Sequence, residues 1–321
     1  MSETARPLVS VVIPTYNCGE YICASVENAL AQTHRPIEVV VLDDGSTDDT
    51  RERLRAYGGR IQYIYKPNRG VPAARNAAIA AAEGDFVALL DADDLCDTRR
   101  VERQLSLLST HPNVGFVACQ AAIMNLDGKF TGEGYTPAGA FGGTGDVVIG
   151  RASALLRILK ASFFLAPTVL VRKSVLETVG GYDESIPVCE DFDLTLRLLQ
   201  VCDMGYINDA LYFYRRGRAA SLSATRRKTC GWNIHVLEKF ARSPGASPPE
   251  VRRVLGERLA QKHALLAAFL IREHDMQGAR EHLAAASREY PSPVTWARLA
   301  LAKAGPLGYP ILSWMARRRL Q

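Results

Sequence analysis

Apolar positions in the first hundred residues fall into short unbroken runs that alternate with stretches of helical spacing. Ser10–Pro14, "SVVIP", is β-branched and is followed by Asn17 and Gly19, which predicts a short buried strand leading into a loop. "YICASVENALAQT" then spaces its apolar residues as a helix does. The continuous run Ile37–Leu42 predicts a central strand covered on both faces, because a strand with one wet face alternates instead. "IQYIYKPNRG" reads as a third strand, "VPAARNAAIAAAEG" as an alanine-rich helix closed by Gly84, and "DFVALLDADD" as a fourth strand. This alternation predicts an α/β fold with a mostly parallel central sheet and flanking crossover helices.

Two of the strands end in acids. Ile37–Leu42 runs into Asp43 and Asp44, and the apolar run before Asp91 ends in Asp91, Asp93 and Asp94. Packed carboxylates repel one another and resist desolvation, so the pattern calls for a cationic partner. Ligands of open parallel sheets bind beyond the carboxyl ends of the strands, which predicts that Asp43, Asp44, Asp91 and Asp93 converge on one cleft. Ser46 or Thr47 is the expected cap of the following helix, with Asp48 and Asp49 in its first turn. A purely structural alternative stands beside this one: Asp43 and Asp44 as turn formers before Gly45.

Composition excludes some classes. With 321 residues, 47% hydrophobic and 23% charged, the chain is globular rather than disordered or fibrous. No stretch approaches the roughly 20 apolar residues of a spanning helix, and no basic region with an apolar core opens the chain, so the expected location is cytoplasmic. The seven cysteines, at 18, 23, 96, 119, 189, 202 and 230, are scattered, as reduced structural thiols would be. His274 and His282 lie in a charged helical stretch with no third ligand nearby and are expected at the surface. The net charge of +5 hides an asymmetry. Met1–Tyr214 carries 19 basic and 27 acidic residues, Arg215–Gln321 20 and 7.

Several familiar chemistries are missing. There is no Gly-rich dinucleotide fingerprint after the first strand, no P-loop, no metalloprotease helix pair and no nucleophile elbow. Asp91–Glu102 has an acid at each end of an EF-hand-sized window, but Leu95 and Cys96 stand where a ligand and a glycine belong. What remains is a hard divalent cation, Mg²⁺ or Mn²⁺, held by one or two carboxylates and completed by phosphate oxygens.

"SVVIPTYN", "VVLDDGSTDDT", "NRGVPAARN" and "LLDADD", in this order and spacing, resemble the family 2 glycosyltransferases with the nucleotide-sugar-binding A-type, Rossmann-like fold. The resemblance implies that Asp44, with Asp43 beside it, reads the nucleotide base. It implies that Asp91 and Asp93, flanking Ala92, hold ribose and the metal-bound diphosphate, with Asp93 the first choice as direct metal ligand. Pro14, Tyr16 and Asn17 would line the base pocket, and Arg69 or Arg75 would approach the nucleotide. Further on, "FFLAPTVLVRKSVLETVGGYDESIPVCEDFDLTLRLL" resembles the acceptor-side segment, in which a strand, a helix and a Gly-Gly-aromatic turn precede a Glu-Asp pair. By that resemblance Asp191 is the general base, with Glu190 before it; the structural alternative makes both only the acidic first turn of a helix with Phe192, Leu194, Leu196 and Leu199 on its apolar face. One departure concerns the histidine that often follows a Tyr-Arg pair in the family. Here Gly217 and Arg218 stand in its place, and Arg218 or Arg216 becomes the candidate phosphate contact.

The implied activity is inverting transfer of a sugar from a nucleotide-diphosphate donor, most often a UDP-sugar, to a hydroxyl of a glycan or lipid-linked acceptor. Mn²⁺ or Mg²⁺ is the implied cofactor, and nucleic acid is not an expected partner. Two rivals stay open: a sugar nucleotidyltransferase, although "IPTYNCGEYI" lacks its Gly-rich, lysine-containing loop, and a non-catalytic nucleotide-binding scaffold on the same fold. The catalytic domain is expected over residues 1–223. Residues 224–321 read as an all-helical region: a basic helix, a break at "PGASPP", a long amphipathic helix from Glu250 to His274, and "DMQGAREHLAAASREYP", which resembles one helix of a tetratricopeptide repeat. Trp296, Tyr309, Trp314 and Arg317–Arg319 suit either peripheral contact with an anionic membrane at its inner face or a packed helix pair with a solvated basic end.

Overall fold

The computed structural model describes residues 6–137, 140–142, 145–160, 165–217, 226–304, 308, 310–312 and 314–315. The chain forms two compact units, Met1–Ile158 with Ser162–Ala219, and Leu159–Ala161 with Ala220–Gln321.

The first unit is built on one sheet. Its opening strands are β1 (Val9–Thr15), β2 (Ile37–Asp43), β3 (Gln62–Tyr65) and β4 (Phe86–Leu89), joined by α1 (Gly19–Leu30), α2 (Thr50–Arg55) and α3 (Val71–Ala81). They pair in parallel in the order β3-β2-β1-β4, as the apolar runs predict. Val11, Val12, Ile13, Val39, Val40 and Val41 are each at most 2% exposed, and full burial of such a side chain stabilises by roughly 1.5–3 kcal/mol. Thr15 lies opposite Asp43 and Val12 opposite Leu89, so the segments after β1, β2 and β4 leave the sheet at one edge.

Beyond β4 the sheet becomes mixed. β9 (Leu170–Arg172) runs antiparallel between β4 and β6 (Val114–Met124), and β6 pairs in parallel with the long β10 (Asp203–Arg215). β5 (Leu95–Cys96) and β8 (Val147–Ile149) add antiparallel to β10, and β7 (Phe130–Gly134) to β6. "Mostly parallel" therefore holds for the amino-terminal half of the sheet, and the later strands mix both directions. Helices α4 (Arg100–Thr110), α5 (Arg151–Lys160), α6 (Lys173–Val179) and α7 (Glu190–Leu198) complete the unit. The strand, helix, Gly-Gly-aromatic turn and Glu-Asp helix start follow one another as expected: β9, α6, Gly180–Tyr182, α7. Gly180 and Gly181 both adopt left-handed backbone, which side chains resist.

The second unit is helical: α8 (Arg226–Ala241), α9 (Pro249–Arg272), α10 (Met276–Glu289) and α11 (Pro293–Lys303), with a short 3₁₀ turn at Pro244–Ala246 in the expected break. Ala260, Ala264 and Ala286 pack α9 against α10. The two helices come so close at Gly256 that a Cβ there would meet the Glu289 carbonyl at 2.7 Å. No described helix is long and apolar enough to cross a membrane; Tyr309 and Arg317–Arg319 lie outside the described residues.

One expectation for this unit is corrected. His282 is not a surface residue but half-buried, with its Nδ1 at 2.9 Å from Nδ1 of the buried His263. One ring must donate to the other, so at least one of the two is neutral. Burial, with His282 and Arg288 adding to it, pulls the His263 imidazole down to about 4. Between that value and the ordinary 6.5 the unfolded chain binds more protons than the folded one. Stability is therefore complete above pH 6.5 and falls as pH drops towards 4, by about 2 kcal/mol with solvent screening allowed for. Thermal melts of helical ellipticity at pH 7.5 and 4.5 should show this acid loss, and His263→Leu should shrink it.

Candidate active site

The acids after β4 are fixed from behind. Asp94 is buried and accepts hydrogen bonds from the Tyr212 hydroxyl (2.7 Å) and the Arg215 amide (2.8 Å). The same Tyr212 oxygen accepts the Asp91 N–H at 3.3 Å. Arg215 donates from Nε to the Asp93 carbonyl (2.8 Å) and from Nη1 to that of Leu126 (2.7 Å). Beneath them the buried Arg100 donates to the carbonyls of Leu89 (2.7 Å) and Pro167 (3.1 Å), and its guanidinium lies 5.5 Å from the Tyr212 ring centre. Burial, reinforced by Asp91 and Asp93, holds the Asp94 carboxyl well above its usual range. Asp94 is thus an internal brace, while Asp91 and Asp93 are half-buried around the buried Ala92.

Arg75 joins this turn to the start of α7. From α3 it donates Nη1 to Glu190 Oε1 at 2.7 Å and Nη2 to Asp91 Oδ1 at 3.1 Å, and its guanidinium lies 5.3 Å from the Tyr182 ring centre. Its neighbour Asn76 clasps the Gly-Gly-aromatic turn, accepting the Tyr182 amide (2.8 Å) and donating to the Tyr182 carbonyl (2.9 Å). Arg75 is only 5% exposed, its guanidinium held between two carboxylates. Glu190, which precedes Asp191, is the buried partner of Arg75. Burial, with Asp191 adding to it and Arg75 opposing, pushes the Glu190 carboxyl up to about 7. Asp191, half-buried in the first turn of α7, accepts the Phe192 amide at 2.7 Å and lines a cavity of about 20 Å³ together with Tyr182 and Thr195.

The loops over the other side of the edge are laced together. Asp43 accepts from the Ser46 amide (2.8 Å) and the Tyr63 hydroxyl (2.7 Å), and Asp44 from the amides of Arg69 (2.9 Å) and Gly70 (2.8 Å) at the start of α3. Both carboxylates are buried, so they shape this wall from within. Asn17, in left-handed backbone, accepts the amides of Thr47 (2.8 Å) and Asp48 (3.3 Å), and its own amide donates to Ser46 Oγ (2.9 Å). That lacing overrides the expected cap: Ser46 and Thr47 serve Asn17, Asp48 serves the Gly19 and Thr50 amides, and α2 starts only at Thr50. Tyr16, 49% exposed, and the half-buried Pro14 remain on the open side of the loop. The exposed Arg69 side chain pairs with Glu184 at 3.0 Å. Arg216 pairs with Glu133 at 3.1 Å, and Arg218 lies outside the described residues.

Asp91 and Asp93 offer only oxygen donors, as a hard divalent cation prefers. Burial, tempered by Arg75 and reinforced by Asp93, holds the Asp91 carboxyl above its ordinary range, an imbalance that a cation would relieve. Among the described residues no group of three or more His, Cys, Asp or Glu is arranged to hold a metal. The two carboxylates fit a hard divalent cation of the kind that takes one or two ligands from protein. Tyr182, Tyr212, Arg215 and Asp94, which carry the geometry, were not singled out by sequence reasoning as site residues. Asp94 carried a signal as the last acid after its apolar run, and Tyr182 one in its position after Gly180–Gly181.

The architecture is that of nucleotide-sugar-binding enzymes of the A-type fold. S. aureus TarS 1-349, solved in complex with UDP-GlcNAc, superposes with a TM-score of 0.72 at 20% identity, covering 97% of this chain and 91% of that one. The mannosyltransferase PcManGT from Pyrobaculum calidifontis, solved with GDP-Man and Mn²⁺, superposes with a TM-score of 0.57 at 21% identity, over 98% and 85% of the two chains. Residues 10–180 match the model of glycosyl transferase family 2, and the chain belongs to that family. An uncharacterized glycosyltransferase of Rickettsia typhi is 30% identical over 210 residues, 65% of this chain and 64% of the relative. The Pasteurella multocida chondroitin synthase is 31% identical over 210 residues, 64% of this chain and 20% of that protein. The matched portion is thus less than two thirds of either relative.

Proposed function

We propose that the chain is an inverting glycosyltransferase that moves a sugar from a nucleotide-diphosphate donor to a hydroxyl of a glycan or lipid-linked acceptor. The observation that carries this reading is the Arg75 bridge, which places the Asp91–Asp93 turn and the Glu190–Asp191 pair on either side of one buried guanidinium. The first pair is suited to the donor diphosphate and the second to the acceptor, as direct displacement at an anomeric carbon requires. Asp191 takes the proton of the acceptor hydroxyl as its oxygen bonds to that carbon. The bond to the diphosphate breaks with its electron pair leaving on the phosphate oxygen, so a single displacement inverts the centre. Asp93, with Asp91, would hold Mn²⁺ or Mg²⁺, which neutralises the departing charge when bound. Asp43 and Asp44 shape the base wall from behind, with Tyr16 and Pro14 on its open side. We assign transfer to residues 1–223 and the helical remainder, 224–321, to partner or membrane-surface contact.

A UDP-sugar is the favoured donor, supported by the UDP-GlcNAc complex of TarS. The test is a calorimetric panel of UDP, GDP, dTDP, CDP and ADP, each with Mn²⁺ and with EDTA. Metal-dependent binding of UDP above the others is expected. Binding of none returns the acids to structural duty, and equal binding with EDTA removes the cation.

A further inference from the structure

The edge strand β7 and the residues after it take no part in the chemistry above. All five residues of β7 are exposed, and Tyr135, which follows them, is 37% exposed. Its position is nevertheless fixed. The Tyr135 amide donates to the Ala121 carbonyl at 2.8 Å, and Gln120 brackets the next residue, accepting the Thr136 amide (3.0 Å) and donating to the Thr136 carbonyl (2.7 Å). The Tyr135 ring meets Tyr214 edge-on, with centroids 6.0 Å apart at 79°, and Tyr214 itself packs on the core.

Tyr214 meets Tyr135, and Arg216, two residues on, meets Glu133, two residues before Tyr135. Arg216 and Glu133 form an exposed ion pair at 3.1 Å. The result is an aromatic surface with a charged, hydrogen-bonding rim. This surface abuts the acid turn, because Arg215, between Tyr214 and Arg216, donates from its amide to Asp94 and from Nε to the Asp93 carbonyl. Partial enclosure, with Asp191 and Tyr214 adding to it, pushes the Tyr135 phenol up.

We propose that Tyr135, backed by Tyr214 and rimmed by Arg216 and Glu133, is the acceptor platform, taking a pyranose ring of a saccharide acceptor so that one of its hydroxyls faces Asp191. The inference rests on the reading of Asp191 as the base. A pyranose matches this surface because it pairs an apolar C–H face with a rim of hydroxyls, and a rigid aromatic contributes contact area at low entropic cost. Acyclic polyols lack the flat face, and lipid tails leave the Arg216–Glu133 rim without a partner.

The test is saturation-transfer NMR on the full chain with UDP and Mn²⁺, using methyl β-D-glucopyranoside, methyl N-acetyl-β-D-glucosaminide and glycerol as probes. Ring protons of at least one pyranoside are expected to receive saturation and glycerol not. The signal should fall at least about fivefold in Tyr135→Ala, as loss of an aromatic contact implies, and persist in Tyr135→Phe, while UDP affinity stays unchanged in both. No saturation of either pyranoside, equal saturation in Tyr135→Ala, or glycerol matching the pyranosides overturns the platform. An unchanged transfer rate in Asp191→Asn, with pyranoside saturation intact, overturns the underlying reading instead, which keeps the two failures apart.

Discussion

Asp191→Asn is expected to lower the transfer rate by about 100- to 10,000-fold, the usual contribution of a positioned general base. Asparagine keeps the size of the side chain and can still accept the Phe192 amide, so the start of α7 stays in place. Donor affinity, measured by titration calorimetry, should stay within about twofold, because the proton acceptor acts on the hydroxyl and not on the nucleotide. A variant that keeps its rate removes Asp191 from the mechanism. A non-catalytic nucleotide-binding scaffold would show nucleotide binding with no turnover in either form.

Arg75→Met is expected to have the largest effect on stability, about 3–5 kcal/mol, the cost of stranding the partners of a buried ion pair. Glu190 has a side chain 11% exposed and Asp91 one 32% exposed, so Glu190 bears most of the penalty. Methionine replaces the aliphatic stem of arginine without its charged fork, and lysine cannot reach two carboxylates in the same way. Chemical denaturation monitors the stability, and metal-dependent donor binding by the same variant should weaken as Asp91 loses its fixed orientation. Unchanged stability would mean that the bridge is an accessory of the fold rather than its clamp.

Legibility in the sequence followed the range over which each feature is decided. Strands β1, β2 and β4 were readable because burial on both faces leaves an unbroken apolar run. β9 was not readable as a direction: it has three residues, and only its partners β4 and β6 make it antiparallel. The start of α2 moved because Asn17, from a different loop, takes the amides of Thr47 and Asp48 that a local cap would have served. The same division holds at the site. Carboxylates at the ends of apolar runs are conspicuous in a sequence, so Asp91 and Asp93 could be named from their position, whereas Asp191 was named through the family resemblance of the segment around it. Nothing local marks Arg75 as buried, since an arginine goes inside only where acids from elsewhere in the chain receive it. Tyr212 likewise reads as one more aromatic in a strand until Asp94 is found beneath it.

The Arg75 bridge also bears on how the site comes into being. Its two bonds close chain separations of 16 and 115 residues, and the Asn76 clasp on Tyr182 closes 106. Contacts of that range form only after much chain entropy has been lost, so no short fragment carries a partial version of this centre. Donor binding during refolding should therefore appear with the last cooperative phase of the first unit, making nucleotide affinity a reporter of completed folding.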